Sequence, residues 1–296
     1  MLQDVFNAVV LGSIYLLFAL GMALAWGTIG VLNFAHGATF MFSAFAAHLV
    51  ADRVALPAPL IVVLAAAVGA LISCLVQALV FQSILGRARN PRAAEMQILI
   101  AGIGVAVIPL AIAQRLTNGA PFGFGSAAEQ AQVYQVGGLR LTTMALVVIV
   151  VGLGLGIGLA WWLKASKRGL ALRSIGVDPE TASLMGANRT SLALGTMAVA
   201  GALAGLAGAL LTYQLGAISA ETGDVLLIKA FAAIVLGGLG SQAGVIAGAY
   251  FIAIAETFVI VNNWGTWADA VSFGLIFLML LVRPQGLFGR REVRRT

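Results

Sequence analysis

Polar side chains inside apolar stretches are the first candidates for chemistry in this chain. Asn33 and His36 lie in GVLNFAHGATF (residues 30–40), between two long apolar runs. A polar group surrounded by apolar residues is costly unless it is paired or faces a water-filled cavity. Asn and the neighbouring glycine Gly37 also weaken a helix. We therefore expect a broken or re-entrant helix here, in which Asn33, His36 and Gly37 either cap a helix end or line a substrate path.

A second interruption is the glycine-rich stretch LGGLGSQAG (residues 236–244). Gly238 and Gly240 allow backbone conformations that other residues rarely adopt, and Ser241 and Gln242 add polar groups. A phosphate-binding loop is disfavoured, because no lysine follows the glycines and no strand is expected before them. The pattern predicts a hinge or a pore-lining turn, with a plain turn as the alternative.

Glu256 is the most conspicuous carboxylate, since it lies well inside the apolar run AIAETFVIV. An unpaired charge at such a position costs roughly 2.5–3.5 kcal/mol on insertion scales. We expect this carboxylate to be protonated, to bond with another helix, or to face a wet cavity where it takes part in the pathway or its gating. Lys229 lies a few residues inside another apolar run, and its side chain is expected to extend toward the nearer polar surface.

The remaining polar residues form no recognisable catalytic set. The chain has two histidines and one cysteine, and their pattern with the carboxylates does not predict a metal site. No serine lies in a nucleophile elbow. We therefore expect neither enzymatic activity nor a metal.

The composition identifies the elements that must position these residues. The 296 residues are 61% hydrophobic and 9% charged, whereas soluble domains are about one quarter charged. Apolar runs of about 20 residues recur along the chain and predict membrane-spanning helices. We expect one all-α polytopic membrane domain over residues 1–296 with eight or nine helices, some broken or re-entrant. The candidate spans are roughly 5–26, 31–51, 58–85, 95–115, 142–163, 191–213, 226–240, 244–262 and 269–282, of which 226–240 is short enough to re-enter.

The charge distribution predicts how these spans are oriented. Most of the 17 lysines and arginines lie in three patches: GRARNPR, the segment from Lys164 to Arg189, and the tail after Leu281. Cytoplasmic loops carry such an excess of basic residues. The pattern predicts an extracytoplasmic N-terminus and a cytoplasmic C-terminus. It also explains the net charge of +6 without a nucleic acid partner.

The cytoplasmic segment at about 164–190 is too long for a simple turn. In DPETASLMGAN, Asp178 is placed to cap a helix that begins at Pro179, and Glu180 falls in its first turn. Four-residue spacing would put Ala182 and Gly186 on one face. A short helix with a small-residue face is suited to docking into a groove of another protein, with an ordinary interfacial helix as the alternative.

Three blocks of the sequence resemble a known family. ETASLMG is similar to the Glu-Ala-Ala-x-x-x-Gly pattern of ABC importer permeases, with Thr181 in place of the middle alanine. The longer block LRSIGVDPETASLMGAN resembles the branched-chain amino acid permeases of the LivH type. So do GSIYLLFALGMALAWGTIGVLNFAHG near the start and KAFAAIVLGGLGSQAGVIAGAYFIAIAE near the end.

The resemblance implies an ABC importer permease fold and a non-enzymatic pore subunit of a bacterial inner-membrane importer. The implied partners are a second related permease of the LivM type, two cytoplasmic ATPases, and a periplasmic substrate-binding protein. ATP would be used by those ATPases and not bound by this chain, which contains no Gly-Lys-Ser or Gly-Lys-Thr. The residues of the implied ATPase-coupling helix are Asp178, Glu180, Ala182, Gly186 and Asn188.

The substrate implied by the resemblance is a branched-chain amino acid (Leu, Ile or Val). Importers of the same class for urea, amides or other amino acids remain alternatives at this point. An ion-coupled secondary transporter is a further hypothesis, since Glu256 and His36 could relay protons, although it gives the cytoplasmic docking helix no purpose. A purely structural membrane subunit is the third hypothesis, and the buried polar residues argue against it.

Overall fold

A computed structural model describes residues 1–88, 90–125, 133–136, 138–283 and 285–289. These residues form a helical bundle, as the sequence predicts, together with one small hairpin. The helices are α1 (Leu2–Ile29), α2 (Ala35–Ala51), α3 (Ala58–Leu75), α4 (Gln82–Arg87), α5 (Pro91–Thr117), α6 (Thr143–Ala165), α7 (Lys167–Val177), α8 (Pro179–Leu184), α9 (Arg189–Leu215), α10 (Thr222–Gly237), α11 (Gln242–Val261) and α12 (Ala268–Val282). A π-helical turn, Val76–Phe81, joins α3 to α4, and strands β1 (Val133–Val136) and β2 (Leu139–Thr142) pair antiparallel.

Each of the nine predicted spans overlaps a helix or, for α3 and α4, one continuous helical stretch. Seven stretches in the described part of the chain are long and apolar enough to cross a membrane. The exceptions are α2, with 17 residues, and α10, with 16. The polytopic all-α fold is therefore confirmed, whereas a count of eight or nine complete crossings is not.

Helices α1 and α9 form the buried centre of the bundle. Small residues let the other helices approach them closely. Gly201 of α9 meets Gly69 and Ser73 of α3, and one turn later Gly205 meets the carbonyl of Ala65. The glycine spacing in GALAGLAGA (residues 201–209) thus serves close packing of α9.

The outer helices present large apolar side chains to the surroundings. Exposed examples on α5, α6 and α12 are Ile108, Val150, Trp161, Phe277 and Leu281. A soluble monomer rarely exposes so much contiguous apolar surface. Lipid or a partner chain must therefore cover these helices.

The helix contacts place the described parts of two basic patches, GRARNPR and the segment from Lys164 to Arg189, at one end of the bundle. Helix α3 runs antiparallel to α9, so Arg87 at the end of α4 lies toward Arg189 at the start of α9. Gly176 of α7 contacts Gly27 near the end of α1, and Trp26 stacks on Phe231 of α10. We call this the basic end. The opposite end carries the 52–57 loop, the β hairpin and the α9–α10 connection.

Substituting Gly201 with alanine is expected to destabilise the fold. The new methyl group would collide with the carbonyl of Gly69 and the side chain of Ser73. Overpacking of this kind costs about 1–3 kcal/mol. Gly195→Ala is the matched control, because that glycine lies on the same helix with open space around it. Thermal unfolding in detergent should show a lower midpoint for Gly201→Ala than for Gly195→Ala, and equal midpoints would contradict the packing argument.

Candidate functional site

The predicted break near Asn33 is present between α1 and α2. Gly30 ends α1 in a left-handed conformation with φ 81°, and its N–H donates to the carbonyl of Trp26. Helix α2 begins at Ala35, where His36 packs against Gly21. At 1.5 Å per residue, Gly21 lies about 12 Å short of the end of α1. The chain therefore turns back into the bundle before α2 starts.

Asn33 and His36 stabilise this break. The side-chain oxygen of Asn33 accepts a hydrogen bond from the N–H of Ala35 at 3.0 Å, and its carbonyl accepts one from the N–H of His36 at 3.1 Å. The fully buried His36 donates from Nε2 to the carbonyl of Phe18 at 3.2 Å. Asn33 thus forms a local turn just before α2, and His36 ties α2 to α1, while a role of either residue in the pathway stays a prediction.

Gly37 does not lie at the break, contrary to the sequence-based expectation. It falls within α2, where its α-carbon faces the carbonyl of Gly223 at the start of α10. A side chain at either glycine would collide with the other helix. The residue matters here because it lets α2 and α10 approach, and this contact depends on tertiary packing that the sequence does not reveal.

The glycine-rich stretch forms the tight turn between α10 and α11 at the basic end. Gly238 and Gly240 adopt φ 99° and 81°, a region that strongly favours glycine. Ser241 caps α11 by accepting from the N–H of Gly244 at 3.1 Å. Gln242 is the first residue of α11. The turn is therefore present, while a hinge or pore-lining role for it stays a prediction.

The end of the described chain also packs on this turn, a contact that the sequence did not predict. The N–H groups of Leu287 and Phe288 donate to the carbonyls of Leu236 and Gly237 at 2.8 and 3.0 Å. These carbonyls end α10 and have no partner within their own helix. The only sequence signal was the pair of glycines in RPQGLFG, which allow the tail backbone to approach closely.

Glu256 is paired with Lys229, and both side chains are buried. Lys229 Nζ lies 2.6 Å from Glu256 Oε1, and the two residues are 8% and 6% exposed. Tyr15 of α1 donates to Glu256 Oε2 at 2.7 Å. The ion pair thus joins α1, α10 and α11. Lys229 itself stays buried, because the carboxylate on the facing helix holds its ammonium inside the bundle.

A second carboxylate connects this cluster to the surface of the opposite end. Asp269 in the first turn of α12 lies 3.3 Å from Lys229 Nζ and is 61% exposed. Exposed Trp264 and Trp267 precede it. Tryptophan is enriched at membrane–water interfaces. Lys229 therefore bridges a buried and an exposed carboxylate near one interface.

The loop at the basic end folds as α7 and α8. Asp178 caps α8, since its carboxylate accepts from the N–H and the hydroxyl of Thr181 at 3.1 and 2.5 Å. Pro179 and Glu180 form the first turn as predicted, and the side chain of Glu180 lies outside the part that the structure describes. Asn188 caps α9 by accepting from the N–H of Ser191 at 3.0 Å.

The prediction that Ala182 and Gly186 form a small-residue face of this helix is wrong. Helix α8 ends at Leu184, so Gly186 lies beyond it, with φ 89°. Ala182 is buried. The side chains that project are Leu184 and Met185, which are 86% and 87% exposed. The left-handed conformation of Gly186 cannot continue the helix, and the apolar pair stands exposed just before it.

The comparisons with known proteins agree with this architecture. Residues 5–280 match the family described as the permease component of branched-chain amino acid transport systems. The chain belongs to this family. The permease is 32% identical over 304 residues to the high-affinity branched-chain amino acid transport permease LivH of Escherichia coli K12, covering 100% of this chain and 97% of that protein.

Two further relatives show the breadth of the similarity. The permease is 30% identical over 313 residues to BraD of Pseudomonas aeruginosa, a high-affinity branched-chain amino acid permease, covering 100% of this chain and 98% of that protein. It is 31% identical over 130 residues to the autoinducer 2 import permease LsrC of Salmonella choleraesuis, covering 42% of this chain and 38% of that protein. The chain is thus a multi-pass ABC transport permease.

Proposed function

We propose that this permease is the membrane pore of an ATP-driven importer for branched-chain amino acids in the bacterial inner membrane. The observation that carries the proposal is the exposed pair Leu184 and Met185 on the loop at the basic end. Two projecting apolar side chains on a capped, polar loop are unfavourable in water and are suited to a hydrophobic groove. We assign this groove to a cytoplasmic ATPase subunit, so that α8 and the following turn form the coupling element.

The substrate and the remaining partners are proposed from the relatives. LivH and BraD are branched-chain amino acid permeases by name, and the similarity to each spans this whole chain. The proposed assembly contains a second, LivM-type permease, two ATPases and a periplasmic binding protein that delivers the amino acid. LsrC, which matches over a shorter stretch, is an autoinducer 2 import permease by name. Transport of a different small substrate is therefore the competing outcome of the uptake test below.

The orientation follows from the charge distribution. The basic end is proposed to be cytoplasmic, because cytoplasmic loops are enriched in lysine and arginine. The C-terminus would then be cytoplasmic. Its arginines from position 290 onward lie outside the described residues.

Co-purification followed by reconstitution tests the proposal. A tagged permease should co-purify with an ATPase and a related permease. Vesicles containing the assembly should take up leucine when ATP is supplied on the side of the ATPases and the binding protein on the opposite side. Uptake of another substrate alone would overturn the proposed specificity. Uptake driven by an ion gradient without ATP would overturn the importer class.

A further inference from the structure

A cleft of about 480 Å³ opens at the end of the bundle opposite the basic end, far from α7 and α8. Its walls come from the last turns of α2, the end of α5 with the loop that follows it, and Gly216 after α9. Phe45, Leu49 and Leu116 supply apolar surface, and His48 and Asp52 supply polar groups. Its volume lies within the range of about 300–1,000 Å³ that is usual for small-molecule sites.

The loop that borders the cleft is fixed on both sides. Phe122 and Ile218 exchange two backbone hydrogen bonds of 2.9 Å, which tie the loop to the α9–α10 connection. On the other side, His48 Nδ1 lies 2.6 Å from the carbonyl of Gly123. Because a carbonyl only accepts, Nδ1 carries the hydrogen, and a neutral imidazole then presents the lone pair of Nε2.

This lone pair and a carboxylate converge on the cleft. His48 Nε2 lies 3.5 Å from Asp52 Oδ2, and Asp52 is 57% exposed. At this separation one donor group placed between Nε2 and the carboxylate could contact both. A group with several N–H donors and a positive charge would satisfy both acceptors at once.

The remaining wall of the cleft is apolar. The rings of Phe45 and Phe122 pack edge to face at 5.2 Å and are 1% and 3% exposed, so they belong to the packed core beneath the cleft. The wall formed by Leu49 and Leu116 is suited to an aliphatic group.

We propose that this cleft is an entry subsite that binds the ammonium group of an aliphatic amino acid, with Asp52 and His48 as acceptors and the aliphatic side chain against Leu49 and Leu116. The inference rests on the proposed function, because it takes the transported amino acid as the ligand. The ligand's carboxylate would stay at the open mouth, in water. The subsite would hold the substrate between its release from the binding protein and its passage through the bundle.

Binding to the full-length permease in nanodiscs of neutral lipid tests the subsite. The probes are L-leucine, 3-methylbutylamine, which lacks the carboxylate, and 4-methylpentanoate, which lacks the ammonium. We expect the first two to bind and the third not to bind. Asp52→Asn should weaken leucine binding at least about tenfold, since it removes a charged hydrogen-bond acceptor. Asp4→Asn, at the start of α1, is the matched control and should bind like the unaltered chain.

The opposite results would overturn the subsite. These are no binding of leucine to the unaltered permease, equal binding by Asp52→Asn, or binding of 4-methylpentanoate as tight as that of leucine. The thermal midpoint of Asp52→Asn should equal that of the unaltered chain, because the side chain is exposed at the surface. ATP-dependent leucine uptake by the reconstituted importer separates the two proposals. If uptake occurs and Asp52→Asn does not reduce it, the subsite fails and the proposed function stands, whereas a complete absence of leucine uptake overturns the function.

Discussion

Replacing Lys229 with methionine is expected to unfold much of the permease at the growth temperature and to abolish uptake. The substitution leaves Glu256 buried against Tyr15 without its ammonium partner, which lies 2.6 Å away. Removing one member of a buried ion pair costs about 3–5 kcal/mol, because the other charge stays desolvated. The measurement is the yield and thermal midpoint of the purified chain, together with leucine uptake in vesicles.

The double variant Lys229→Met with Glu256→Gln is the decisive control. It removes both charges, so most of the lost stability should return. Glu256→Gln alone should be milder than Lys229→Met, because Lys229 keeps Asp269 at 3.3 Å and that carboxylate reaches water. Two results would show that the pair does not support the fold. One is a Lys229→Met chain as stable as the unaltered one, and the other is a double variant no more stable than Lys229→Met alone. A stable double variant without uptake would instead assign the pair a part in transport.

Changing both Leu184 and Met185 to aspartate is expected to uncouple ATP hydrolysis from uptake. The two side chains are 86% and 87% exposed, so the substitutions should leave membrane insertion and the thermal midpoint unchanged. If the pair fills an ATPase groove, its loss removes a buried apolar anchor, and such anchors carry about 2 kcal/mol or more of binding energy. We expect at least about a tenfold fall in ATP-dependent uptake, since each tenfold corresponds to about 1.4 kcal/mol.

Leu170→Asp provides the matched control for this variant. Leu170 is an exposed leucine on α7, in the same segment but before the turn that presents the apolar pair. It should retain both uptake and co-purification with the ATPase. Full uptake by the Leu184→Asp, Met185→Asp chain, or the same loss in the control, would favour an ordinary interfacial helix over a docking element.

Features that depend on neighbouring residues were predictable from the sequence. The apolar runs predicted the positions of the helices, since a run of about 20 residues must be buried in lipid. The cap at Asp178 and the non-helical break at Asn33 also follow from local chemistry, because a short polar side chain satisfies backbone N–H groups within two or three residues.

Features that join distant parts of the chain were decided by the tertiary structure alone. The sequence marked Glu256 as requiring a partner, but only the packing of α10 against α11 and α1 shows that Lys229 and Tyr15 fill that role. Gly37 was assigned to a break, yet it lies within a helix where α10 approaches. The sequence determined which segments enter the membrane and which polar groups need a partner, because hydrophobicity and capping are local properties. The partners themselves are set by how the helices pack, since contacts between residues 27 or 241 positions apart leave no trace in local spacing.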